Sequence, residues 1–312
     1  MRRGAGIPCR PSGRGNRDHR APPQAIRPGR TTARRAHRIA LNALVLGAGG
    51  QLGAELVQLL GRRAGVGHDK LSITDAGAVE DLIAARKPHV VFNCAAYNAV
   101  DRAEGERDLA YAVNAEGPKN VAVACRRHGV SFVHFSTNFV FDGKLAEPYV
   151  EADVASPLSV YGSSKLAGER HVLQAGAHVL VVRTAAVFGG PLSFPMRILE
   201  RVRSGEKLRV VADQRVNPTY AHDLAAAALE LAEQGTAGVV HAVAEGCCAW
   251  DELARATIAE AGLSVDVESI PTGAYPAAAR RPPNGCLASS RFRALRPWRE
   301  ALHDALSSRQ KP

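Results

Sequence analysis

A tyrosine and a lysine four residues apart are the first residues of this 312-residue chain that could do chemistry together. Tyr161 and Lys165 stand at i and i+4, a spacing that puts both side chains on one face of a helix. A neighbouring ammonium favours the phenolate, so we expect Lys165 to lower the pKa of Tyr161. The phenol would then be a better proton donor to a carbonyl that receives hydride. The same spacing arises often by chance, and the alternative is an incidental, exposed pair on an amphipathic helix.

A glycine-rich turn is the second feature that could do chemistry. Residues 47–53 read GAGGQLG, directly after the apolar residues 43–46 and before an apolar-periodic segment. Between a strand and a helix, such a turn lets backbone N–H groups approach a pyrophosphate, while the positive end of the helix faces the anion. The turn therefore predicts a dinucleotide site, and the alternative is a flexible turn in a glycine-rich chain. The residues expected to contact the coenzyme here are Gly47, Gly49, Gly50, Gln51, Leu52 and Gly53.

Short apolar runs alternate with amphipathic segments along the chain, a pattern typical of βαβ units and a parallel sheet. The fold class we predict is α/β, with a Rossmann-like doubly wound parallel sheet in residues 41–184. Residues 185–312 are expected to form mainly a smaller substrate-binding subdomain, with some segments returning to the sheet. The predicted strands are residues 43–46, 89–94, 131–136, 178–183, 208–211 and 239–243. The predicted helices are residues 52–60, 107–127, 159–174, 223–233 and 250–261, with an interruption of the second at Gly117-Pro118.

The segment after the first helix does not favour a second strand. A Rossmann unit carries, roughly 20 residues beyond its glycine turn, an acid for the ribose of NAD or an arginine for the 2′-phosphate of NADP. Residues 61–70 are short and polar, so we expect no second strand there. Asp69 would suit NAD, and Arg62 and Arg63 would suit NADP; all three could equally be solvated loop charges.

Further motifs place the chain near a known family. A Ser136-Thr137-Asn138 run ends the predicted strand before Tyr161, and it follows NCAAYNAVD at residues 93–101 and VNA at residues 113–115. The order of these segments is similar to that in extended short-chain dehydrogenase/reductases. More narrowly, residues 43–306 resemble dTDP-4-dehydrorhamnose reductases. Asp213-Gln214, Asn217-Pro218-Thr219 and Arg281-Pro282 leading to Leu287 resemble motifs on the substrate side of that family.

The resemblance implies an oxidoreductase that uses NADPH or NADH to reduce the 4-keto group of a nucleoside-diphosphate 6-deoxy-sugar. The closest such reaction is dTDP-4-dehydrorhamnose to dTDP-L-rhamnose. Thr137 would hydrogen-bond the keto oxygen, Tyr161 would donate the proton, and Lys165 would hold the nicotinamide ribose. The remaining residues implied are Ala95, Ala96 and Tyr97 along the coenzyme, and Tyr97, Asp101, Thr137 and Asn138 along the substrate. Tyr97 could instead be a core aromatic, and Asn114 either orders an active-site water or is a structural amide.

Two departures from the family pattern bear on the substrate. Asn138 stands where the family usually has Asp, and Ala186 stands where it usually has an aromatic ring that packs on the sugar. The exact sugar therefore stays open.

A different class of function is also open: a non-catalytic, nucleotide-binding regulatory subunit resembling the β-subunit of methionine adenosyltransferase. The intact Thr137, Tyr161 and Lys165 argue against it, and the shortened second-strand region argues for it.

The net charge of +10 lies in the first 40 residues. Eleven of the 40 basic residues fall there, with one of the 30 acidic residues, Asp18; the rest of the chain carries 29 of each. A domain without net charge has no general reason to bind polyanions, which argues against nucleic acid as a partner. Residues 1–40 are rich in Pro and Gly without apolar periodicity, and we expect a disordered, dispensable extension. A polyanion-binding arm and a targeting segment are the alternatives.

Cysteine and apolar patterns indicate the compartment. The six cysteines show no C-x-x-C spacing, so no metal site is predicted, and several lie in apolar segments as expected in a reducing cytosol. The chain has no run of eighteen apolar residues, which argues against a membrane partner. We expect a cytoplasmic protein. A homodimer with Mg²⁺ at its interface is compatible with the resemblance, but the sequence identifies no ligands for the ion.

Overall fold

A computed structural model describes residues 41–176 and 178–307. The predicted tail at residues 1–40 lies outside the described residues. The helices are α1 (Gln51–Leu60), α2 (Ala76–Arg86), α3 (Arg107–Tyr111), α4 (Gly117–His128), α5 (Val160–Gln174), α6 (Phe194–Arg203), α7 (Ala221–Glu233), α8 (Trp250–Glu260) and α9 (Trp298–Ser307). The strands are β1 (Ala43–Leu46), β2 (Gly65–Val66), β3 (Val90–Asn93), β4 (Ser131–Thr137), β5 (Val179–Thr184), β6 (Val187–Phe188), β7 (Leu208–Val211), β8 (Arg215–Val216), β9 (Thr219–Tyr220), β10 (Gly238–His241), β11 (Ala244–Glu245), β12 (Cys248–Ala249), β13 (Val267–Ile270) and β14 (Leu295–Pro297).

The central sheet has six parallel strands in the order β10-β5-β4-β3-β1-β2. β1 lies next to one edge, from which the chain runs outward to β2 and then returns through β3, β4 and β5. This is the doubly wound arrangement that the alternating pattern predicts. This confirms the predicted fold class. The carboxyl ends of the strands, where such sheets bind ligands, therefore lie along one edge of the sheet.

Helices cover both faces of the sheet, and this is why its inner strands are apolar on both faces. Every residue of β1 is buried. On one face Val45 packs in a core shared with Leu56 of α1 and Leu224 of α7. On the other face Leu44 packs in a core with Ile83 of α2.

The expectation that no second strand exists was wrong. Residues 65 and 66 form β2, which pairs parallel to β1, with Gly65 opposite Val45 and Val66 opposite Leu46. The Val66 carbonyl also accepts hydrogen bonds from the N–H groups of Gly47 and Ala48 at 3.0 and 3.1 Å. A strand of two residues is too short to show an alternating pattern, and its pairing with β1 is a tertiary contact.

The predicted interruption at Gly117-Pro118 takes the form of a π-helical turn directly before these two residues, and the helical backbone continues through them. Residues 107–128 form α3, a π-helical turn at Ala112–Glu116, and then α4, which carries its proline in the first turn. The Gly117 N–H still donates to the Ala112 carbonyl oxygen of the π-helical turn, whereas proline has no N–H to donate. The π-helical turn contains Asn114, which is buried.

The part of the chain after β5 contributes one strand to the central sheet. β10 pairs parallel to β5, while the other strands of this part form two-stranded sheets. A separate core gathers around Trp298 of α9 and Leu253 of α8. The domain boundary after residue 184 stays a prediction. Among the described residues, no helix is both long and apolar enough to cross a membrane.

A disulfide joins Cys247 to Cys286, with their Cα atoms 6.1 Å apart. This disulfide was not predicted, because the two cysteines are 39 positions apart and belong to no motif. Cys125 and Cys248 are buried free thiols, as expected for cysteines in apolar segments.

Candidate active site

A cavity of about 590 Å³ lies at the carboxyl edge of the central sheet. This volume is in the range of small-molecule sites. Its lining joins the glycine turn, the segment after β3, the end of β4 and the start of α5. The cavity therefore brings together the two features that the sequence analysis singled out, the turn and the Tyr161-Lys165 pair.

The glycine turn leaves the N-terminus of α1 open toward the cavity. Gly50 caps α1 without a side-chain hydrogen bond, and the first turn has no acidic residue. A Cβ at Gly49 would meet open space, whereas one at Gly53 would collide with the Gly47 carbonyl oxygen. The backbone N–H groups and the helix dipole can thus face an anion such as a pyrophosphate. The predicted coenzyme residues that line the cavity are Gly49, Gly50, Gln51, Leu52, Gly53, Ala95, Ala96, Tyr161 and Lys165.

Gly47 packs the glycine turn closely against the segment after β3. Its φ is +75°, a region that favours glycine, and a Cβ there would lie 2.5 Å from the Ala95 nitrogen. Gln51 connects the turn to the far wall of the cavity, because its Oε1 accepts a hydrogen bond from the Gly190 N–H at 2.9 Å. The turn is therefore held between the segment after β3 and the segment after β6.

Thr137 ends β4 and presents a buried hydroxyl to the cavity. Its Oγ1 accepts from the Phe139 N–H at 3.2 Å and donates to Asn138 Oδ1 at 3.2 Å. The amide of Asn138 donates in turn to the Gly285 carbonyl oxygen at 2.9 Å. Gly285 was not predicted, since its role comes from a contact 147 positions away in sequence.

Tyr161 and Lys165 lie on the buried face of α5, as the spacing predicts. The Ser159 hydroxyl caps this helix by accepting from the Gly162 N–H at 3.1 Å. The predicted lowering of the Tyr161 pKa by Lys165 was wrong for this structure. Burial raises the pKa of Tyr161 to about 12; the hydroxyl of Thr137 opposes this as a hydrogen-bond partner, and Lys165 is not among the causes.

Lys165 directs its ammonium toward the main chain of β4. Its Nζ donates to the Phe135 carbonyl oxygen at 2.7 Å, and the residue is 3% exposed. Burial lowers the pKa of this lysine to about 8, while Glu169 and Cys94 raise it. The ammonium is thus charged at neutral pH and fixed at the floor of the cavity.

Tyr97 and Asn114 connect the segment after β3 to α5. The Tyr97 hydroxyl donates to Glu106 Oε2 at 2.5 Å, which raises the pKa of the tyrosine, and its ring packs in a cluster with Tyr161. Asn114 Oδ1 accepts from the Tyr97 N–H at 2.8 Å, and its amide donates to Ser164 Oγ at 3.0 Å. These bonds are those of a structural amide. Tyr97 contacts to coenzyme and substrate stay predictions.

Asp101 binds an arginine from the other end of the chain. Its two carboxylate oxygens accept from Arg281 at 3.0 and 2.6 Å, and Oδ1 also accepts from the Ala279 N–H at 3.0 Å. The bonds to Arg281 hold the pKa of Asp101 below its usual value. This ion pair fastens the segment around residue 280 to the loop after β3, and a direct contact of Asp101 with substrate stays a prediction.

Ala186 lines the cavity with an unusual backbone. Its φ is +42°, in the left-handed region that alanine seldom adopts. Leu192 also lines the cavity, and its side chain is 71% exposed.

The charged residues near β2 remain at the surface. Arg62 and Arg63 fall in a 3₁₀ turn before β2, and a Cβ on Gly67 would collide with the carboxylate of Asp69. The carboxylate thus lies over the end of β2. Contacts of Asp69 with the ribose of NAD, and of Arg62 or Arg63 with the 2′-phosphate of NADP, stay predictions. In the described ranges no group of three or more His, Cys, Asp or Glu side chains is arranged to hold a metal ion.

Comparison with known proteins gives one consistent result. The model of the RmlD substrate binding domain family matches residues 41–311. Among curated relatives, the dTDP-4-dehydrorhamnose reductase of Mycobacterium tuberculosis is 40% identical over 285 residues, which cover 85% of this chain and 92% of that protein.

Solved structures agree. A dTDP-4-dehydrorhamnose reductase of Clostridium acetobutylicum is similar with a TM-score of 0.83 at 35% identity, covering 86% of this chain and 99% of that one. A dTDP-4-dehydrorhamnose reductase of Bacillus anthracis, solved in complex with NADP, is similar with a TM-score of 0.82 at 33% identity. The match covers 85% of this chain and 98% of that one.

Proposed function

Because the chain belongs to the RmlD substrate binding domain family, we propose that it is an NAD(P)H-dependent reductase of the 4-keto group of a nucleoside-diphosphate 6-deoxy-sugar. The substrate named for its relatives is dTDP-4-dehydrorhamnose, and the product of that reduction is dTDP-L-rhamnose. The observation that carries the proposal is one cavity that holds Thr137, Tyr161, Lys165 and the open N-terminus of α1.

The residues of the cavity fit a dinucleotide. Gly49 and Gly53 bring the backbone close to the position of a pyrophosphate, and the N-terminus of α1 favours its negative charge. The ammonium of Lys165 would donate hydrogen bonds to the hydroxyl groups of the nicotinamide ribose. When bound, the reduced nicotinamide supplies the hydride that reduces the keto carbon.

The proton comes from the chain itself. The keto oxygen gains negative charge as the hydride arrives, and the hydroxyls of Thr137 and Tyr161, which both line the cavity, would stabilise it. With a pKa of about 12, Tyr161 keeps its proton at neutral pH. It can still give that proton to an alkoxide, because an alkoxide is a stronger base than a phenolate.

The substrate side is formed by both parts of the chain. Thr137 and Asn138 line the cavity from β4, and Ala186 and Leu192 line it from the segment around β6. We place the sugar between these walls, with residues 185–312 forming most of the substrate-binding subdomain. A cytoplasmic location, a homodimer and a Mg²⁺ ion stay predictions. The regulatory alternative was argued from a shortened second-strand region, and it finds no support among the relatives, which are named as reductases.

The test is turnover of dTDP-4-dehydro-6-deoxy-L-mannose, followed by the loss of reduced nicotinamide absorbance with NADPH and with NADH. We expect Tyr161→Phe to lower kcat about 10²–10⁴-fold because the general acid is gone. Tyr149→Phe is the matched control, since it removes a buried hydroxyl bonded to Asp142 outside the cavity. Equal turnover in wild type and Tyr161→Phe would remove Tyr161 from the mechanism, and a folded wild type without turnover would contradict the proposed activity.

A further inference from the structure

A glutamine side chain from the coenzyme turn contacts the segment between β6 and α6. Gln51 is the first residue of α1, so its backbone belongs to the open N-terminus of that helix. Its Oε1 accepts from the Gly190 N–H at 2.9 Å, and its Nε2 donates a longer bond of 3.5 Å to the Val187 carbonyl oxygen. The proposed mechanism uses the backbone of this turn and gives the Gln51 side chain no role.

The segment that Gln51 contacts belongs to the proposed substrate side. Residues 189–192 lie between β6 and α6 and line the same cavity as the glycine turn. Leu192 is exposed, and the two consecutive glycines that precede Pro191 give the backbone wide conformational freedom. Such a segment is ordered only as far as its contacts hold it. The bond from Gln51 is therefore a direct link between the coenzyme turn and the substrate wall.

The packing of Gln51 explains why residue 190 is a glycine. A Cβ at this position would lie 2.5 Å from Gln51 Cγ and 3.1 Å from Gln51 Oε1. Gly190 is not among the glycines with positive φ, so its backbone conformation is open to alanine. Close packing against the glutamine is thus the obstacle to a side chain here. Alanine at residue 190 would displace the Gln51 side chain without changing its chemistry.

We propose that Gln51 is a positioning residue that couples coenzyme binding to substrate binding. This inference rests on the proposed function, in which a pyrophosphate lies at the glycine turn and the sugar lies against Ala186 and Leu192. A coenzyme that binds the N–H groups of the turn fixes the start of α1, and Gln51 then fixes the segment around Gly190. The substrate meets a wall that is already ordered, so it loses less entropy on binding. By linkage, the nucleotide-sugar raises the affinity for coenzyme by the same factor.

The first measurement needs no substrate. Hydrogen exchange, read by mass spectrometry, is followed in peptides that cover residues 187–193. We expect Gln51→Ala to speed this exchange about 2- to 10-fold in the free protein, because the Gly190 N–H loses its acceptor. Saturating NADPH should slow the exchange in wild type and have little effect on it in Gln51→Ala. Gln58→Ala is the matched control, since it shortens an exposed glutamine on the same helix.

The second measurement is the affinity for dTDP-L-rhamnose with and without saturating NADPH, by calorimetry. These two ligands do not react with each other, because both are in the reduced form. In wild type we expect NADPH to tighten binding at least about 5-fold, and in Gln51→Ala the two affinities should be nearly equal. Gly190→Ala should act like Gln51→Ala, and it should add nothing when Gln51 is already alanine. Gly273→Ala is its control, because a Cβ there meets nothing within 4 Å.

Each outcome bears on one of the two proposals. Equal exchange of residues 187–193 in free wild type and free Gln51→Ala would overturn the inference without any ligand. Equal coupling of the two ligands in these proteins would overturn it as well, and so would an effect of Gly190→Ala that persists without Gln51. A wild type that binds NADPH but not dTDP-L-rhamnose would contradict the proposed substrate. Hydrogen exchange with NADPH would then still decide whether Gln51 orders this segment.

Discussion

At the scale of single residues, the Thr137 hydroxyl is held by hydrogen bonds that a substrate can replace. Its bonds to the Phe139 N–H and to Asn138 Oδ1 are each 3.2 Å, which is long for such pairs. Turning the hydroxyl proton from Asn138 to a keto oxygen therefore costs little. Asn138 itself stays in place because its amide donates to Gly285.

The variant Thr137→Val tests this role. Valine keeps the shape and the burial but has no hydroxyl, so we expect kcat to fall about 10²-fold while coenzyme affinity stays near wild type. Steady-state kinetics and coenzyme titration measure the two effects. Thr257→Val is the control, since it removes a buried hydroxyl bonded to the Leu253 carbonyl in α8. Equal losses of kcat in the two variants would assign the effect to packing.

Some residues of the candidate site can be recognised from the sequence alone, and others cannot. Thr137, Tyr161 and Lys165 are visible because each carries chemistry at the end of a strand or on one helix face. Gly285 is not visible in this way, since it acts through Asn138, a partner that the fold brings to it.

At the scale of elements, the contact between the glycine turn and α1 determines where the helix N-terminus points. Gly53 packs its Cα against the Gly47 carbonyl, and Gly47 lies close to Ala95 after β3. A side chain at Gly53 must push α1 away from the turn. A side chain at Gly49 meets nothing within 4 Å in the structure, although the proposed pyrophosphate would lie beside it.

These two glycines give a paired prediction. We expect Gly53→Ala to lower the free energy of unfolding by about 1–3 kcal/mol through overpacking and to lose coenzyme binding as well. Gly49→Ala should keep the stability of wild type and still weaken coenzyme binding, because its methyl group would block the pyrophosphate. Chemical denaturation and coenzyme titration measure both. If Gly49→Ala bound coenzyme like wild type, the pyrophosphate would not lie at this turn.

The elements also show where pattern reading succeeds and where it fails. Long periodic segments such as α5 and fully apolar strands such as β1 were predicted within one residue of their ends. β2 was missed because its two residues are held by pairing with β1 and by hydrogen bonds from the glycine turn. The strands of the small sheets after β5 have only two to four residues each, so the pairing of these strands could not be predicted from the sequence.

At the scale of the whole molecule, charge separates the chain into two parts. Residues 41–312 carry equal numbers of acidic and basic residues, and the +10 charge belongs to residues 1–40. The family match begins at residue 41, and β1 begins at Ala43. The described residues that line the proposed active site lie in this neutral part.

We therefore expect a chain without residues 1–40 to keep the turnover and the melting temperature of the full chain. The two proteins should differ in binding to polyanions. The full chain, with its eleven arginines in the tail, should bind DNA or heparin weakly and lose that binding steeply as salt rises. The truncated chain should not bind at all. Turnover at several salt concentrations, thermal melting and a heparin column measure these properties. A truncated chain that folds but loses turnover would show that the tail takes part in catalysis, and one that still binds heparin would place a basic surface on the neutral part.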